Sequence, residues 1–344
     1  MSQYAPGPLR QPRTDDRPLW DIVFGVYGYP AILLAHKLKL FPLLAEHPRP
    51  LQEVAEALKI APRPAEALLI AATALGFLHL HEGRYALTPL AEEYLLERSP
   101  TYFGWYLDLI IATYSVCSLE TLEKAVRTNS PQAYGSENIY QSHEEQVSLM
   151  RAFTHGMHSM SSGPALAWSE EVDLSRHKVM LDIGGGSGVH AIGATRRWPN
   201  LHAILFDLAP VCVVAEEFIA RHGMQDRIRT QAGDVWQDPF PPADLHFYSN
   251  FYQNWSLEKC RLLTQKSFAS LGAGGRLMLH EPLYNDPKTG PFPIAAFNLI
   301  MLLWVEGKAR SGREFSALLT ETGFTDIEVK PTFGYWSIVT GRKP

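Results

Sequence analysis

A glycine-rich turn between two apolar strands constrains the fold of this chain more than any other stretch. Residues 179–183 read V-M-L-D-I, an apolar run with one acid inside it, which is typical of a strand buried on both faces of a parallel sheet. Residues 184–188 read G-G-G-S-G, and glycine lets the backbone turn sharply there and approach a ligand closely. A helix over 189–198 and a strand over 202–206 follow. The stretch therefore predicts a strand–turn–helix–strand unit, with Asp207 at the end where open α/β sheets bind ligands.

The spacing of the glycines and the two flanking acids indicates the class of ligand. A dinucleotide turn requires G-x-G-x-x-G, but Val189 occupies the third glycine position, and there is no G-K-[ST] of a nucleotide-triphosphate loop. Asp182 precedes the turn, where a carboxylate suits a cationic amino-acid group, and Asp207 suits the two hydroxyls of a ribose. S-adenosylmethionine carries both groups and no pyrophosphate. A glycine turn with a packing role alone is the other interpretation.

Composition bounds the remaining classes of function. The 344 residues suffice for two domains, and with 46% hydrophobic residues the chain can bury a sizeable core. A formal charge of −5 argues against a nucleic-acid-binding face. The 3 cysteines lie far apart, make no disulfide or metal pattern and suit a reducing compartment. Because charges interrupt the apolar stretches before the length of a membrane span, and no signal peptide is evident, we expect a cytoplasmic protein.

The first half of the chain has the pattern of a winged-helix domain. Residues 1–17 are polar and rich in proline, and they predict a disordered lead-in. Short helices are predicted over 51–58 and 64–75, and the alternation over 78–87, with an E-G pair in the middle, predicts a hairpin. Helices followed by a hairpin are typical of a winged helix, which we place at 18–128.

The apolar character of this domain favours dimerisation over DNA binding. The stretch 61–75 contains one Arg and no Lys, Asn or Gln that would reach base edges or phosphates. The aromatic stretch 102–116 is too interrupted for a membrane but long enough for a helix at a subunit interface. We therefore predict a homodimer without a nucleic-acid or membrane partner.

The second half of the chain alternates strands and helices. The segment 129–175 predicts connecting helices and a pocket wall, with a loop over 131–140 and a helix over 144–168. Alternation over 176–344 implies an α/β fold, a doubly wound, mostly parallel sheet that is reversed only near the C-terminus. The other strands are predicted at 228–234, 244–250, 276–280, 324–329 and 336–341, and the other helices at 209–222, 255–270, 295–305 and 312–322.

Four motifs of this half together resemble those of a known family. They are the 181–188 turn with its acid, Phe206-Asp207-Leu208, Gly233-Asp234 and the glycine turn at 272–275. In order and spacing they are similar to the S-adenosylmethionine-dependent O-methyltransferases of the plant caffeate and hydroxyindole type, and the resemblance covers nearly the whole chain. It implies a methyltransferase domain at 176–344, homodimers with interlocking winged-helix domains, and a small-molecule acceptor.

The resemblance also implies a cofactor site. Asp182 and the glycine turn would hold the methionine part of S-adenosylmethionine, Asp207 the ribose, and Asp234 with Trp236 the adenine. The full set of predicted cofactor-binding residues is Asp182, Gly184, Gly186, Gly188, Asp207, Leu208, Asp234, Val235, Trp236 and Ser249. No metal is expected, because His155 and His158 share a helix face but nothing supplies further ligands.

The chain departs from the resembled family at the chemistry. Gln253 replaces the family's catalytic histidine and Asn254 the aspartate after it, while Trp255 is kept. One family glutamate is Ala309 here, and another survives as Glu281. Because an amide cannot remove a proton near neutral pH, Gln253 and Asn254 are expected to orient the acceptor.

Three interpretations follow from the loss of the histidine. The acceptor is already nucleophilic; or another residue is the base; or the protein is a dimeric binding or regulatory module that holds the cofactor without transferring methyl. Alternative bases are Tyr252, His280, Glu281, His155 and His158, of which Tyr252 and Glu281 are the predicted assisting residues. An apolar acceptor pocket is expected from Phe153, Met157, Phe297, Asn298, Met301 and Trp304. The leading expectation is a methyltransferase acting on a small aromatic or secondary-metabolite acceptor, at oxygen by resemblance, or at nitrogen or carbon because of Gln253.

Overall fold

The computed structural model describes residues 11–133 and 144–344, and within them the side chains outside 144–149. The chain divides into two compact units after Ser99. This division falls earlier than the predicted domain boundary at 128, because the helix Gly104–Thr113 packs against the long helix Glu144–Glu171 within the second unit. Residues 1–10 of the predicted lead-in lie outside the described residues.

The N-terminal unit is built of short helices and a small antiparallel sheet. Its elements are α1 (Arg17–Gly25), α2 (Gly28–Lys37), α3 (Leu40–Glu46), β1 (Arg49–Pro50), α4 (Leu51–Leu58), α5 (Pro62–Ala74), β2 (Leu78–His81), β3 (Arg84–Leu87) and α6 (Pro89–Tyr94). The strand order is β1-β3-β2, and β2 pairs with β3 so that Leu78 lies opposite Leu87. Glu82 and Gly83 join the two strands with φ of 47° and 75°, as a tight hairpin requires. Helices followed by this hairpin confirm the winged-helix prediction.

One helical stretch of this unit is long and apolar enough to cross a membrane, judged by length and composition alone. Arg17–Lys37 covers 21 residues with a mean hydropathy of 1.3. As expected, charge interrupts the stretch, since Asp21 lies inside it, but its overall composition is still apolar enough for a span. Only 11% of its most apolar 18-residue window is buried, and Ile22 and Tyr27 expose 71% and 70% of their surfaces. The stretch presents a large apolar surface that its own chain leaves uncovered.

The C-terminal unit is an α/β domain. Its elements are α7 (Gly104–Thr113), a 3-10 helix (Tyr114–Cys117), α8 (Leu119–Thr128), α9 (Glu144–Glu171), β4 (Val179–Ile183), α10 (Val189–Arg197), β5 (His202–Asp207), α11 (Ala209–Arg221), β6 (Ile228–Ala232), β7 (Leu245–Ser249), a second 3-10 helix (Tyr252–Asn254), α12 (Leu257–Ser270), β8 (Arg276–Pro282), α13 (Phe292–Trp304), α14 (Gly312–Thr322), β9 (Thr325–Phe333) and β10 (Trp336–Arg342). The strands and helices predicted for 176–344 are all present, with some ends shifted.

The strands of this unit form one sheet of 7, in the order β6-β5-β4-β7-β8-β10-β9. The first five in this order run parallel, and β10 pairs antiparallel with both β8 and β9. This confirms the doubly wound, mostly parallel sheet. The strand order reverses at β4, so the carboxyl ends of β4 and its neighbours form the edge where such sheets bind ligands.

Two elements differ from their predictions. The stretch 102–116 is not one helix, because α7 ends at Thr113 and a 3-10 helix follows, and within α7 only Gly104 and Leu107 are buried. α13 begins at Phe292, ahead of the predicted helix start at 295, because proline is tolerated in the first turn of a helix. The predicted 131–140 loop lies outside the described residues from 134 onward.

Two apolar cores cover the two faces of the sheet. Trp168, Phe218 and Phe247 belong to one of them. Tyr248 and Phe315 belong to the other. The neighbours Phe247 and Tyr248 on β7 face opposite cores because side chains alternate along a strand. With both faces of the sheet covered, its edge at the strand ends is left for a ligand.

Candidate active site

The glycine turn lies between the carboxyl end of β4 and the start of α10. Gly184, Gly186 and Gly188 have φ of 64°, 57° and 76°, in the left-handed region that favours glycine. A Cβ atom on Gly184 would lie 2.3 Å from the ring of Phe251. The turn therefore requires glycine, and it lies directly against the segment that follows β7.

Asp182 and Asp207 flank this turn, and they differ in the hydrogen bonds that their carboxylates accept. Asp207 is held by backbone, since its Oδ2 accepts the N–H of Gly186 at 2.9 Å and its Oδ1 accepts the N–H of Leu208 at 2.7 Å. Asp182 is buried, and its Oδ2 has no hydrogen-bond partner in the described part of the chain. Burial raises the pKa of Asp182 to about 7 and the pKa of Asp207 to about 6. A buried carboxylate oxygen without a partner fits a ligand that brings a positively charged donor.

A third acid and two tryptophans lie beyond β6. Asp234 accepts the backbone N–H of Trp236 at 2.8 Å and the Nε2 of Gln237 at 2.9 Å. The ring of Trp236 is 37% exposed and meets Trp255 edge-to-face, with ring centroids 4.9 Å apart. The Lys259 ammonium lies 4.8 Å from the centroid of Trp255. These contacts form a partly open aromatic wall next to Asp234.

Glu281 and Arg310 hold the 3-10 helix after β7 by its backbone. Glu281 Oε1 accepts the N–H groups of Phe251 and Tyr252, each at 2.8 Å. Arg310 is buried and donates to the carbonyls of Tyr252 and Trp255 at 3.0 Å and 2.9 Å. Because both side chains bind main-chain atoms, they fix the path of this segment.

Gln253 and Asn254 stand on this fixed segment. Gln253 is 2% exposed, its Nε2 donates to Oδ1 of Asn250, and its Oε1 is buried without a partner among the described atoms. Asn254 donates its Nδ2 to the carbonyl of Asn250 at 3.2 Å. The N–H of Gly307 donates to the carbonyl of Asn254 at 3.1 Å, and a Cβ atom on Gly307 would lie 2.2 Å from the carbonyl oxygen of Gln253. Both amides are therefore held in defined orientations.

The side chain of Tyr252 points into the apolar core. Its hydroxyl lies 3.1 Å from Thr264 Oγ1 inside the core, and burial raises its pKa well above that of an ordinary tyrosine. The predicted assisting role of Tyr252 is therefore wrong, because the 3-10 helix directs this side chain into the core.

The histidine candidates are buried or partly buried and poorly basic. His280 shares a hydrogen bond with Ser249 at 2.9 Å, and burial lowers the pKa of His280 well below its usual value. His158 shares one with Ser187 of the glycine turn at 2.8 Å, and burial lowers its pKa to about 3. Burial also lowers the pKa of His155. Because burial lowers each pKa, these histidines are weaker bases at neutral pH than an ordinary histidine.

Glu281 is left as the candidate base. Its Oε2 is buried and accepts no hydrogen bond from any residue that the structure describes, and burial raises its pKa to about 7. A carboxyl group with a pKa near 7 can exchange a proton at neutral pH. Its other oxygen binds two backbone N–H groups, so Glu281 also positions the segment that carries Gln253.

The predicted acceptor residues lie on two helices. They are half-buried apart from the buried Met301, with Phe153 and Met157 on α9 and with Phe297, Asn298, Met301 and Trp304 on α13. Asn298 Oδ1 accepts the N–H of Ala309 at 2.9 Å, so Asn298 supports the segment that carries Arg310. Within 11–133 and 150–344, no group of three His, Cys, Asp or Glu could hold a metal ion. That these helices line one pocket stays a prediction.

Sequence reasoning missed Asn250 and gave Arg310 no role. Asn250 has a φ of 54°, and an asparagine directly after a strand is a usable signal because asparagine adopts this conformation more readily than most residues. Arg310 bonds the carbonyl of Tyr252, 58 positions earlier in the chain. No local pattern indicates such a contact.

Comparison with known proteins gives matches over almost the whole chain. The profile of the O-methyltransferase domain matches residues 119–325, and that of the O-methyltransferase dimerisation domain matches residues 20–97. The 3-hydroxy-5-methyl-1-naphthoate 3-O-methyltransferase of Streptomyces sahachiroi is 33% identical, over 90% of this chain and 89% of that protein. Acetylserotonin O-methyltransferase of Bos taurus is 31% identical, over 91% and 93%. The crystal structure of human N-acetylserotonin methyltransferase in complex with S-adenosylmethionine superposes with a TM-score of 0.84 at 26% identity, over 97% and 99%.

A doubly wound sheet with a glycine turn and two acids at its carboxyl edge, in a chain that also carries a helical dimerisation domain, defines a class of methyltransferase. The chain belongs to the O-methyltransferase family, whose domain profile matches more than half of it. It is therefore an enzyme that depends on S-adenosylmethionine, and the predictions of family, fold and cofactor are confirmed.

Proposed function

We propose that this protein transfers a methyl group from S-adenosylmethionine to a small aromatic or secondary-metabolite acceptor, as a cytoplasmic homodimer. The observation that carries the proposal is the buried, unpaired Oδ2 of Asp182 beside the glycine turn, with Asp207 on the turn's other side. When bound, the cofactor supplies an electrophilic methyl group on a positively charged sulfur. The chain's own residues bind and orient the two reactants, which is a large part of what such a displacement requires.

Each part of the cofactor has a candidate partner. Asp182 would accept the amino group of the methionine part, because its free oxygen is otherwise a buried carboxylate atom without a hydrogen bond. Asp207, with Leu208 behind it, would accept the ribose hydroxyls. Asp234 and Trp236 would flank the adenine, and the 37% exposure of the Trp236 ring supports this role.

Two further predicted cofactor contacts are less direct. Val235 packs partly against the core and its carbonyl accepts Lys266 Nζ at 2.5 Å, so its N–H or side chain would touch the adenine. The Ser249 hydroxyl is already bonded to His280, so a contact with the cofactor would have to share that hydroxyl.

The acceptor class rests on the relatives' names and on the half-buried apolar residues of α9 and α13. The relatives are named for a hydroxynaphthoate and for acetylserotonin. Phe297 and Trp304 on α13, with Phe153 on α9, would suit a flat aromatic compound. Gln253 at the family's histidine position makes methylation at nitrogen or carbon as compatible with this site as methylation at oxygen.

We favour an acceptor that reaches the site already nucleophilic. Gln253 cannot take a proton, and the histidines near the site are weak bases. Glu281 as the base is the alternative, supported by its unpaired Oε2 and its pKa of about 7. Gln253 and Asn254 would then orient the acceptor in either case. No observation within the described ranges favours a binding module without methyl transfer.

The homodimer is supported by the apolar surface of α1 and α2. Leu19, Ile22 and Phe24 are exposed within the chain, and the dimerisation profile begins at residue 20. A second copy would cover this surface.

Light scattering at micromolar concentration should give a dimer, and the double variant Ile22→Lys with Phe24→Lys should shift the protein to a monomer. The matched control Leu262→Lys, at an exposed leucine of α12, should leave the dimer intact. A monomeric wild-type protein would contradict the proposal.

Calorimetry with S-adenosylhomocysteine tests the cofactor site, and transfer of a labelled methyl group tests the reaction. Wild-type protein should bind S-adenosylhomocysteine, and Asp207→Ala should weaken binding by about 1–3 kcal/mol through lost charge-assisted ribose bonds. Asp173→Asn, at an exposed acid ahead of β4, is the control and should leave binding unchanged. Binding of NAD without binding of S-adenosylhomocysteine would overturn the proposed function.

A further inference from the structure

The two polar atoms of the Gln253 side-chain amide differ in their hydrogen bonding. Nε2 donates a hydrogen bond to Asn250 Oδ1, whereas Oε1 is buried and accepts nothing from the described residues. An unpaired buried acceptor is costly, and native proteins usually satisfy such an atom with protein, water or ligand. Gln253 occupies the position of the family's catalytic histidine, so the proposed function places this oxygen where the reactants would meet.

Asn250 has the geometry of a residue that sets the orientation of this amide. Its backbone is in the left-handed region, with a φ of 54°. Its N–H donates to the carbonyl of His280 at 3.1 Å, and its own carbonyl accepts Asn254 Nδ2 at 3.2 Å. With its backbone held at both ends, Asn250 keeps its Oδ1 toward the Gln253 amide nitrogen.

The backbone of Gln253 leaves little freedom for another arrangement. Glu281 holds the two N–H groups before it, and Arg310 bridges the carbonyls on either side of it. Gly307 packs so closely that a Cβ atom there would lie 2.2 Å from the Gln253 carbonyl oxygen. The backbone is therefore held, and the bond to Asn250 sets the orientation of the side-chain amide.

We propose that Asn250 is a positioning residue that turns Gln253 Oε1 toward the acceptor, and that the acceptor binds by donating an O–H or N–H to this oxygen. The inference rests on the proposed function and narrows its substrate class. Because the amide oxygen does not remove the proton, the donor is either an amine nitrogen whose lone pair attacks, or a hydroxyl or amine next to the methylated atom. A compound with only acceptors at this place would leave Oε1 unpaired.

Matched pairs of small aromatic compounds test this recognition without any turnover. The probes are phenol and fluorobenzene, 2-naphthol and 2-fluoronaphthalene, and 5-hydroxyindole and 5-fluoroindole, titrated by ligand-observed NMR with S-adenosylhomocysteine saturating. In each pair, fluorine replaces the hydroxyl donor at nearly constant size, and the ring N–H of the indole pair is common to both members. We expect wild-type protein to bind the hydroxyl member of at least one pair roughly fivefold to a hundredfold more tightly, the effect of satisfying one buried acceptor.

Three variants separate the roles of the two residues. Gln253→Leu removes the oxygen, and its preference for the hydroxyl member should fall to within about twofold. Asn250→Gly keeps the left-handed backbone but loses Oδ1, so its preference should fall as well. Asn250→Asp introduces an acceptor-only side chain that can still accept from the Gln253 amide nitrogen, and it should retain the preference. Thermal unfolding and S-adenosylhomocysteine binding verify that each variant is folded.

The outcomes are distinct. A wild-type protein with no preference for the hydroxyl member in any pair, whether the probes bind equally or not at all, overturns the inference. Full preference in Asn250→Gly overturns the role of Asn250, and full preference in Gln253→Leu overturns that of Gln253. Failure to bind S-adenosylhomocysteine, measured first on the same preparation, counts instead against the proposed function.

Discussion

Glu281 on β8 accepts the backbone N–H of Tyr252 at 2.8 Å, so an acid of one strand shapes the segment that follows another. The same oxygen also accepts the N–H of Phe251, while the second carboxylate oxygen is buried and unpaired in the described structure. One carboxylate oxygen of Glu281 is therefore used in hydrogen bonds to the backbone, and the other has no partner among the described residues. Whether it acts only on the segment's shape or also takes a proton is an experimental question that a conservative variant answers.

Glu281→Gln keeps a carbonyl oxygen for the two N–H groups but cannot accept a proton. If the acceptor arrives already nucleophilic, as we propose, kcat should stay within about tenfold of wild type. The measurement is single-turnover methyl transfer, with calorimetry of S-adenosylhomocysteine as the control for folding. A loss of more than about a hundredfold with intact cofactor binding would instead identify Glu281 as the base.

Gln253→Ala should lower the rate by about tenfold to a hundredfold without abolishing it, because the acceptor loses a group that orients it rather than a base. For the same reason the wild-type kcat should not show the acid limb of a catalytic histidine near its pKa of about 6.5. Gln253→His is the informative partner, since it recreates the side chain of the resembled family and should introduce that limb. If the wild-type kcat falls at acid pH and this fall is absent in Gln253→Ala, the result would contradict the orienting role of Gln253.

Cofactor affinity should depend on pH through Asp182. Burial raises the pKa of this acid to about 7, so it is largely protonated at pH 6 and largely ionised at pH 8. An ammonium group binds the ionised form, so S-adenosylhomocysteine should bind up to about twentyfold more tightly at pH 8 than at pH 6, about tenfold of it from Asp182. In Asp182→Asn the dependence should shrink to the roughly twofold effect expected from Asp207, whose pKa is about 6. Calorimetry at both pH values decides, and an unchanged dependence in the variant would exclude Asp182.

His190 should make the fold sensitive to acid. Both ring nitrogens are buried without a partner in the described chain, and burial lowers the pKa to about 3, so the folded protein keeps this ring neutral. The unfolded chain protonates it below about 6.5, so its contribution to stability is present above that pH and is lost as the pH falls. His190→Phe should therefore gain roughly 1.4 kcal/mol relative to wild type between pH 8 and pH 5.5.

Urea unfolding of both proteins at the two pH values measures this difference. Phenylalanine suits the site because the ring of His190 packs against that of Phe247, with the ring centroids 5.3 Å apart. His202→Phe, at an exposed position of β5, is the control and should show a smaller change with pH. Equal pH dependence of His190→Phe and wild type would contradict the account.

The parts of the fold that the sequence predicts well depend on local patterns. The buried run of β4, the glycine turn and the strand that ends at Asp207 are neighbours in the chain, so apolar periodicity and turn residues are enough to place them. Alternation of strands and helices then predicts the parallel sheet, because right-handed crossovers allow few other arrangements. The two acids of the candidate cofactor site follow directly, since both stand at strand ends.

The residues that the sequence placed wrongly or missed depend on contacts between distant segments. Tyr252 follows a strand but stands on a 3-10 helix that turns it toward Thr264 in the core, which strand alternation does not predict. Arg310 and Asn250 act on backbone atoms and on one side-chain amide, and these partners become known only when the chain is folded. The orientation of the candidate acceptor site is therefore a tertiary property, whereas the cofactor turn is largely a local one.

Arg310→Lys tests whether that tertiary clamp matters for the reaction. The guanidinium spans the carbonyls of Tyr252 and Trp255 at 3.0 Å and 2.9 Å, and a lysine ammonium cannot reproduce this planar two-pronged geometry. Gln253 should then lose its fixed position, and kcat should fall by roughly tenfold to a hundredfold. S-adenosylhomocysteine affinity should stay within about twofold, because the glycine turn and its acids do not contact Arg310 through any hydrogen bond in the described structure. Arg313→Lys, at an exposed arginine on α14, is the matched control and should leave both quantities unchanged. A wild-type kcat in Arg310→Lys would show that the segment keeps its shape through Glu281 and Gly307 alone.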